Sequence, residues 1–370
     1  MSNNQIKPLP IEKPKKQQFA FLERLWDGTK TTVKSMFGWL LGKVILLGQF
    51  DIFINAKSFQ GNLKKFRKKW SEQPITISDE YRVKTEDGAS LSTIKIQRND
   101  QSKQPCDQVY IIFFNGNCTA YERNLFTMAN HAQKLKANAI GFNYRNVSSS
   151  TGTVRSKDDL VRDGIAQVQH LLNQKVKPEN IFLHGYSLGG AIATLVAARF
   201  CKDNKTVNLY NDRSFSTMAN VIEGWLRTMG TNTGYKESLI GKFLGRMIKP
   251  MVSWLLKLAN WEIDAAKAYE DIPEKNKQYM YVAANESKGD CIITQHGSLA
   301  RKILNGGTEK NKARQMLVNK ENKATQKIET NYDGHLVNEK DLVNNYKQNA
   351  SIFFREFVKA ATNNNANSTQ

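Results

Sequence analysis

From residue 76 onward, short unbroken apolar runs alternate with longer stretches in which apolar positions recur every three or four residues. An unbroken run suits a strand buried on both faces, whereas the three-to-four spacing lays one stripe along a helix. The runs at 109–114 (VYIIFF), 139–144 (AIGFNY), 181–184 (IFLH), 207–210 (VNLY) and 278–284 (QYMYVAA) predict strands. Residues 121–135, 158–172 and 346–360 predict helices. Residues 75–77 and 91–96, around the turn Glu86-Asp87-Gly88, predict an opening antiparallel pair. Strands and helices in alternation give an α/β class with a mostly parallel central sheet flanked by helices, because parallel neighbours need a crossover between them.

The pattern changes between the strands at 207–210 and 278–284. Residues 215–262 carry Trp225, Leu226, Leu239, Phe243, Met247, Met251, Trp254 and Leu258 at helical spacing and predict a helical cap. Its apolar inner faces are expected to meet an acyl chain or other greasy group, or to form only the cap's own core. A second insertion, residues 304–330, is rich in lysine and asparagine and reads as irregular and exposed. The expected organisation is a core of 76–214 and 263–362, a cap of 215–262, a basic N-terminal helical extension of 1–75 and a disordered tail of 363–370.

Charge adds a partner class. The 370 residues carry 54 Lys/Arg against 34 Asp/Glu, a net +20, which draws the chain to polyanions. The extension is basic and partly apolar, and Lys64-Lys65-Phe66-Arg67-Lys68-Lys69-Trp70 interleaves cations with aromatics. With the apolar run at 39–47 it suits a helix lying on an anionic membrane; alternatively Trp39, Leu40, Val44 and Leu47 dock on the body with the lysines a solvated face, and both stay open. No nucleic-acid motif accompanies the charge, so no nucleic-acid partner is expected. Residues 1–35 are too polar for a cleavable signal, and the run 36–48 is too short and interrupted by Lys43 to span a bilayer. A cytoplasmic or peripheral-membrane location follows. The four cysteines, Cys106, Cys118, Cys201 and Cys291, lack the spacing of a zinc site or a disulfide framework, and no metal or cofactor is implied.

The chemistry centres on Gly185-Tyr186-Ser187-Leu188-Gly189-Gly190, between the apolar run at 181–184 and the Ala-rich stretch at 191–198. G-x-S-x-G alone matches by chance in about one chain in ten of this size. Between a strand and a helix it marks a tight turn that presents the serine, with glycines where side chains would collide. Ser187 is therefore the candidate nucleophile. It needs a base, and an acid to orient that base, in the chain order Ser, Asp or Glu, His. His131, His170 and His184 lie before the nucleophile and read as structural. His296 lies six residues past the best acid and is expected on the following helix. His335, in Asn331-Tyr332-Asp333-Gly334-His335-Leu336, is the candidate general base. Asp290, just past the strand at 278–284, is the candidate acid, ahead of Asp212, with Glu286 and Asp333 weaker. The N–H groups of Leu188 and Asn117 are the candidate oxyanion hole, Cys118 being the alternative to Asn117. Nothing supplies Cys118 with a base, so it is not a nucleophile candidate.

Together these residues resemble the α/β-hydrolase superfamily over residues 76–360. Asn115-Gly116-Asn117 stands where many members have His-Gly, and Asn143-Tyr144-Arg145-Asn146 with Ser148-Ser149-Ser150-Thr151-Gly152 resembles the D-Y-R-G-x-G-x-S-x-G stretch of Bem46-like, lipid-acting hydrolases. Asn143 and Asn146 depart from that pattern and are expected to change loop shape, not catalysis. The basic extension beside a lipase-like core is also similar to the SidB-type lipase-like effectors of intracellular bacteria, which implies delivery into a host cell and action on host lipid. The expected function is a serine hydrolase cleaving a carboxylic ester, with a lipid or acyl ester as partner, through an acyl-enzyme on Ser187. A thioesterase, amidase or acyltransferase would use the same triad, and an inactive membrane- or protein-binding scaffold is the reading of a different class.

Overall fold

The computed structural model describes residues 56–70, 73–99, 104–229, 237–282, 290, 292–300, 313–318, 342–343 and 350–367. Its elements in chain order are α1 (Ala56–Trp70), β1 (Ile75–Ile77), β2 (Tyr81–Lys84), β3 (Ser90–Arg98), β4 (Tyr110–Phe114), α2 (Tyr121–Leu135), β5 (Asn138–Phe142), α3 (Lys157–Asn173), β6 (Ile181–Tyr186), α4 (Leu188–Lys202), β7 (Asn208–Asp212), α5 (Met218–Thr228), α6 (Leu239–Leu258), α7 (Ala265–Glu270), β8 (Lys277–Val282), β9 (Ala313–Val318), β10 (Leu342–Val343) and α8 (Ala350–Asn367).

The strands run β1-β3-β5-β4-β6-β7-β8-β9-β10 across one sheet, with β2 paired to β3. β4 to β9 are mutually parallel, and β3 joins β5 antiparallel. Alternate residues of one strand serve opposite faces. In β4, Tyr110, Ile112 and Phe114 enter one core with α3, α4 and α7, while Ile111 and Phe113 enter the other with α1, α2 and α8. Burial on both faces is why these strands read as unbroken apolar runs. The connection leaves β4 for β5 on one side, whereas β6 lies on the other. That reversal opens a crevice at the carboxyl ends of β4 and β6, where open α/β sheets hold their ligands. With the strand-to-helix turn between β6 and α4, this is the α/β-hydrolase architecture.

Local chemistry sets the element ends. α3 begins in a capping box, with Ser156 N–H donating to the Asp159 carboxylate at 3.0 Å. α2 stops at Lys136, whose φ of 51° is left-handed. Arg145 is buried and donates to Asp163 (Nε to Oδ1, 2.8 Å) and to Asp87 (2.7 and 3.0 Å), tying the β2–β3 turn and the β5–α3 loop to α3.

Several expectations need correction. The partner of β3 across the Glu86-Asp87-Gly88 turn is β2, with Tyr81 opposite Thr93, and β1 pairs further along β3. The insertion expected to be irregular contains β9, which pairs parallel with β8. The last helix runs through Asn367, into the stretch expected as a disordered tail. Residues 56–70, placed by the sequence in the extension, form a helix whose Phe66 and Trp70 are buried, with Phe126 5.1 Å from Phe66 between ring centroids. Lys64, Lys65, Lys68 and Lys69 lie exposed on its other side. Trp39, Leu40, Val44 and Leu47, the positions expected either to dock on the body or to meet a membrane, lie with the rest of residues 1–55 outside the described residues.

The cap also differs from expectation in orientation. α5 and α6 pack closely because Gly241 and Gly245 face α5: a Cβ on Gly241 would stand 2.5 Å from the Leu226 carbonyl oxygen. That glycine face and Leu256 are buried, whereas Phe243, Met247, Met251 and Trp254 are exposed. The apolar stripe expected to point inward points out.

Candidate active site

Ser187 sits between β6 and α4 with φ 55° and ψ −122°, a conformation side chains resist. The surrounding structure over-determines it. Ser187 N–H donates to the Asp212 carbonyl at 2.9 Å, and the Ser187 carbonyl accepts from Gly190 N–H at 2.9 Å. A Cβ on Gly185 would stand 2.5 Å from the Gly189 oxygen; one on Gly189 would stand 2.1 Å from the Phe114 oxygen and 2.5 Å from that of Asn115. Glycine at these positions lets the first turn of α4 press against both β6 and the end of β4. Non-glycine residues held at such angles cost about 1–3 kcal/mol and gather at functional sites.

Since β4 to β8 are parallel, the segments following them share one edge of the sheet. The loop after β4 begins with buried Asn115, whose Nδ2 donates to the Phe142 carbonyl at 2.7 Å and whose Oδ1 accepts from Asn124 at 2.9 Å. This clamp holds the exposed Asn117 and Cys118 at the mouth of the crevice. The Cys118 amide, at φ 57°, donates to the Asn117 side-chain oxygen at 3.0 Å. Leu188 is the first residue of α4, where backbone N–H groups have no partner within the helix. A cavity of about 390 Å³ opens beside the elbow, lined by Asn115, Asn117, Cys118, His184, Tyr186 and Arg213 among others.

The two acid candidates differ sharply. Asp212 ends β7 and is buried, and Arg213 takes both its oxygens, Nε to Oδ1 at 2.6 Å and Nη2 to Oδ2 at 2.9 Å. Asp290 lies past β8 and is buried, its Oδ1 accepting the backbone N–H groups of Ile292 (3.0 Å) and Ile293 (2.6 Å). Such a turn fixes one oxygen of the carboxylate. His335, Glu286 and Asp333 lie outside the described residues.

The remaining histidines have structural surroundings. His131 and His184 are buried in an aromatic cluster, His184 stacked on Tyr210 at 5.2 Å and His131 edge-on to Phe354 at 4.9 Å. His170 on α3 bonds Gln174 at 2.8 Å and packs on Tyr81, and burial lowers its pKa. His296, expected on a helix, lies in a turn, and its Nε2 stands 2.8 Å from Glu223 of α5. Trp225 Nε1 donates to the Ile292 carbonyl at 2.8 Å, so the cap is tied to the segment that carries Asp290.

Sequence reasoning passed over Arg213. It has φ 51°, lies over the Tyr186 ring at 4.7 Å and lines the cavity. An arginine directly following a strand-end aspartate was the available signal. Asn143, which stands where the Bem46-like pattern has aspartate, lies beside Glu122: its Nδ2 donates to Glu122 (3.1 and 3.3 Å) while its Oδ1 accepts the Tyr121 amide. Asn146 has φ 62°, a left-handed conformation that asparagine tolerates better than most residues.

Comparison with known proteins gives matches of two kinds. Over 124 residues the chain is 30% identical to the multifunctional-autoprocessing repeats-in-toxin of Vibrio cholerae, covering 33% of this chain and 3% of the toxin. The corresponding Vibrio vulnificus toxin is 31% identical over 114 residues, 30% of this chain and 2% of the toxin. The chain thus spans only a few hundredths of the length of these relatives. Among solved structures, an alpha-beta hydrolase from Vibrio vulnificus aligns over 69% of this chain and 78% of its own, at 18% identity and a TM-score of 0.46. The Pyrococcus furiosus esterase Pf2001 aligns over 68% and 83%, at 15% identity and a TM-score of 0.45. A hyperthermophilic esterase from Pyrobaculum calidifontis aligns over 71% and 79%, at 13% and 0.46. The family profile described as Chlamydia CHLPS protein (DUF818) matches residues 40–339, and the chain belongs to that family.

Proposed function

We propose that the protein is a serine hydrolase that cleaves a carboxylic ester of a lipid or acyl substrate. The observation that carries this reading is the backbone of Ser187, held at φ 55° and ψ −122° on a glycine-packed turn between β6 and α4. Ser187 Oγ attacks the ester carbonyl, and His335 takes the hydroxyl proton and returns it to the leaving alcohol. Water, activated by the same histidine, then releases the acid from the acyl-enzyme. Asp290 orients His335, and the half of its carboxylate fixed by Ile292 and Ile293 supports that role over Asp212, which Arg213 engages on both oxygens. The N–H groups of Leu188 and Asn117 receive the oxyanion; in such sites one donor is worth about 3–4 kcal/mol of transition-state stabilisation. The commitment of the Cys118 amide to the Asn117 side chain favours Asn117 as the second donor.

Release of free acid from a panel of soluble and lipid esters tests the assignment. Wild type is expected to release acid, with Ser187→Ala and His335→Ala reduced at least about 10³-fold. Equal turnover by wild type and Ser187→Ala would overturn it.

A further inference from the structure

We propose that the outward face of cap helix α6 is a docking surface for an anionic lipid bilayer. Ile240, Phe243, Met247, Met251, Trp254 and Leu258 fall within about 80° of arc at 100° per residue. They are exposed along the whole helix, Ile240 by 76%, Phe243 by 64% and Trp254 by 61%. The opposite face is covered, by α5 at Gly241 and Gly245 and by the core at Leu256. A continuous exposed apolar stripe of this length marks an interaction surface.

Charge selects the occupant. α6 holds four cations, Lys242, Arg246, Lys249 and Lys257, and no acidic residue. Lys249 and Lys242 are engaged within the cap, by Glu223 of α5 at 2.9 Å and by Glu237 at 3.5 Å. Arg246 and Lys257 are exposed, at helical angles about 40–60° from Phe243 along one border of the stripe. Aromatic and aliphatic side chains on one arc with cations along its edge suit a helix lying in an anionic headgroup region. A second copy fits less well, because it would set Arg246 and Lys257 against their equivalents on chains that each carry +20. No helix among the described residues is long and apolar enough to cross a membrane, so the surface lies on the bilayer and does not span it.

The test uses the full chain and vesicles of phosphatidylcholine, with and without about 30 mol% phosphatidylglycerol. Wild type is expected to co-sediment with the anionic vesicles, and the triple variant Phe243→Ser/Met247→Ser/Trp254→Ser to partition at least tenfold less. Arg246→Gln/Lys257→Gln is expected to reduce the preference for anionic over neutral vesicles. An unchanged thermal midpoint in the triple variant shows that the fold is intact. Equal partition of wild type and triple variant, or no partition of wild type, overturns the proposal. So does a wild-type dimer that the triple variant converts to monomer without altered vesicle binding, which would assign the face to a second copy. Vesicle binding is read without reference to ester cleavage, so this outcome and that of the proposed hydrolase are independent.

Discussion

Arg213 closes on both carboxylate oxygens of Asp212, at 2.6 and 2.9 Å, although Asp212 lies at the end of the strand next to the serine elbow. Each residue is at least 96% buried, so the guanidinium has its charge balanced by a neighbour one position away. Asp212→Asn is therefore expected to lower stability by about 3 kcal/mol in urea unfolding, since it removes the Asp212 charge from beside a buried cation. Ester turnover by the folded protein should stay within about tenfold of wild type. Asp290→Asn is expected to do the reverse. The amide oxygen can still accept from Ile292 and Ile293, so stability changes by about 1 kcal/mol or less, while kcat falls by about 10⁴ because the base loses the group that sets its tautomer.

The elbow makes a separable prediction about strain. Ser187→Gly removes a side chain from φ 55° and is expected to raise stability by about 1 kcal/mol, the strain relieved less the added freedom of the unfolded chain. Gly189→Ala drives a methyl group onto the oxygens of Phe114 and Asn115 and is expected to cost about 3 kcal/mol or more. Thermal unfolding of the two variants reads both, and a destabilised Ser187→Gly would show that the elbow is not strained.

Asp87 carries a pH signature. The Arg145 guanidinium beside it holds its carboxyl well below the usual carboxylate range. A depressed folded pKa adds stability that is complete above the unfolded value of about 4 and is lost as pH falls toward the folded one. Asp87 is about one-third exposed, so Asp87→Asn is expected to cost only about 1–2 kcal/mol at pH 7. The gap between the two proteins should be flat above about pH 5 and shrink below about pH 4. A gap that widens in acid would contradict the assignment.

Glu122 predicts the opposite slope. Burial raises its pKa, and Asn143 supplies the donor that lets it lie there. Asn143→Asp removes that donor and sets two carboxylates side by side, raising their folded pKa values further. Stability lost to a raised carboxyl pKa is absent in acid and grows as pH rises. The variant is expected to be about 2–4 kcal/mol less stable at pH 7 and to recover much of that near pH 5, read by denaturant unfolding at the two pH values. Equal loss at both would contradict the raised carboxyl pKa values.

The buried strands were legible because β4, β6 and β8 are covered on both faces and leave unbroken apolar runs. β2 was missed: Tyr81-Arg82-Val83-Lys84 lies at the sheet's edge with only Val83 buried, so its polar residues hide the strand. β9 was missed because Ala313–Val318 lies inside a lysine- and asparagine-rich stretch whose composition outweighs six residues. For α6, periodicity gave the stripe but not its direction. The two glycines that set the buried face contribute nothing to a hydrophobic pattern, and only their contacts with α5 show which side is covered. The elbow was legible as a motif, whereas the grip of Arg213 on Asp212 depends on a left-handed backbone that spacing does not reveal.

The proposed mechanism requires Ser187 to be an activated nucleophile. Treating the folded protein with a fluorophosphonate and mapping the adduct by peptide mass spectrometry tests it most directly. A single stoichiometric adduct on Ser187, absent in Ser187→Ala, is expected. An adduct elsewhere, equal labelling of the two proteins, or a folded wild type that takes no label would contradict it.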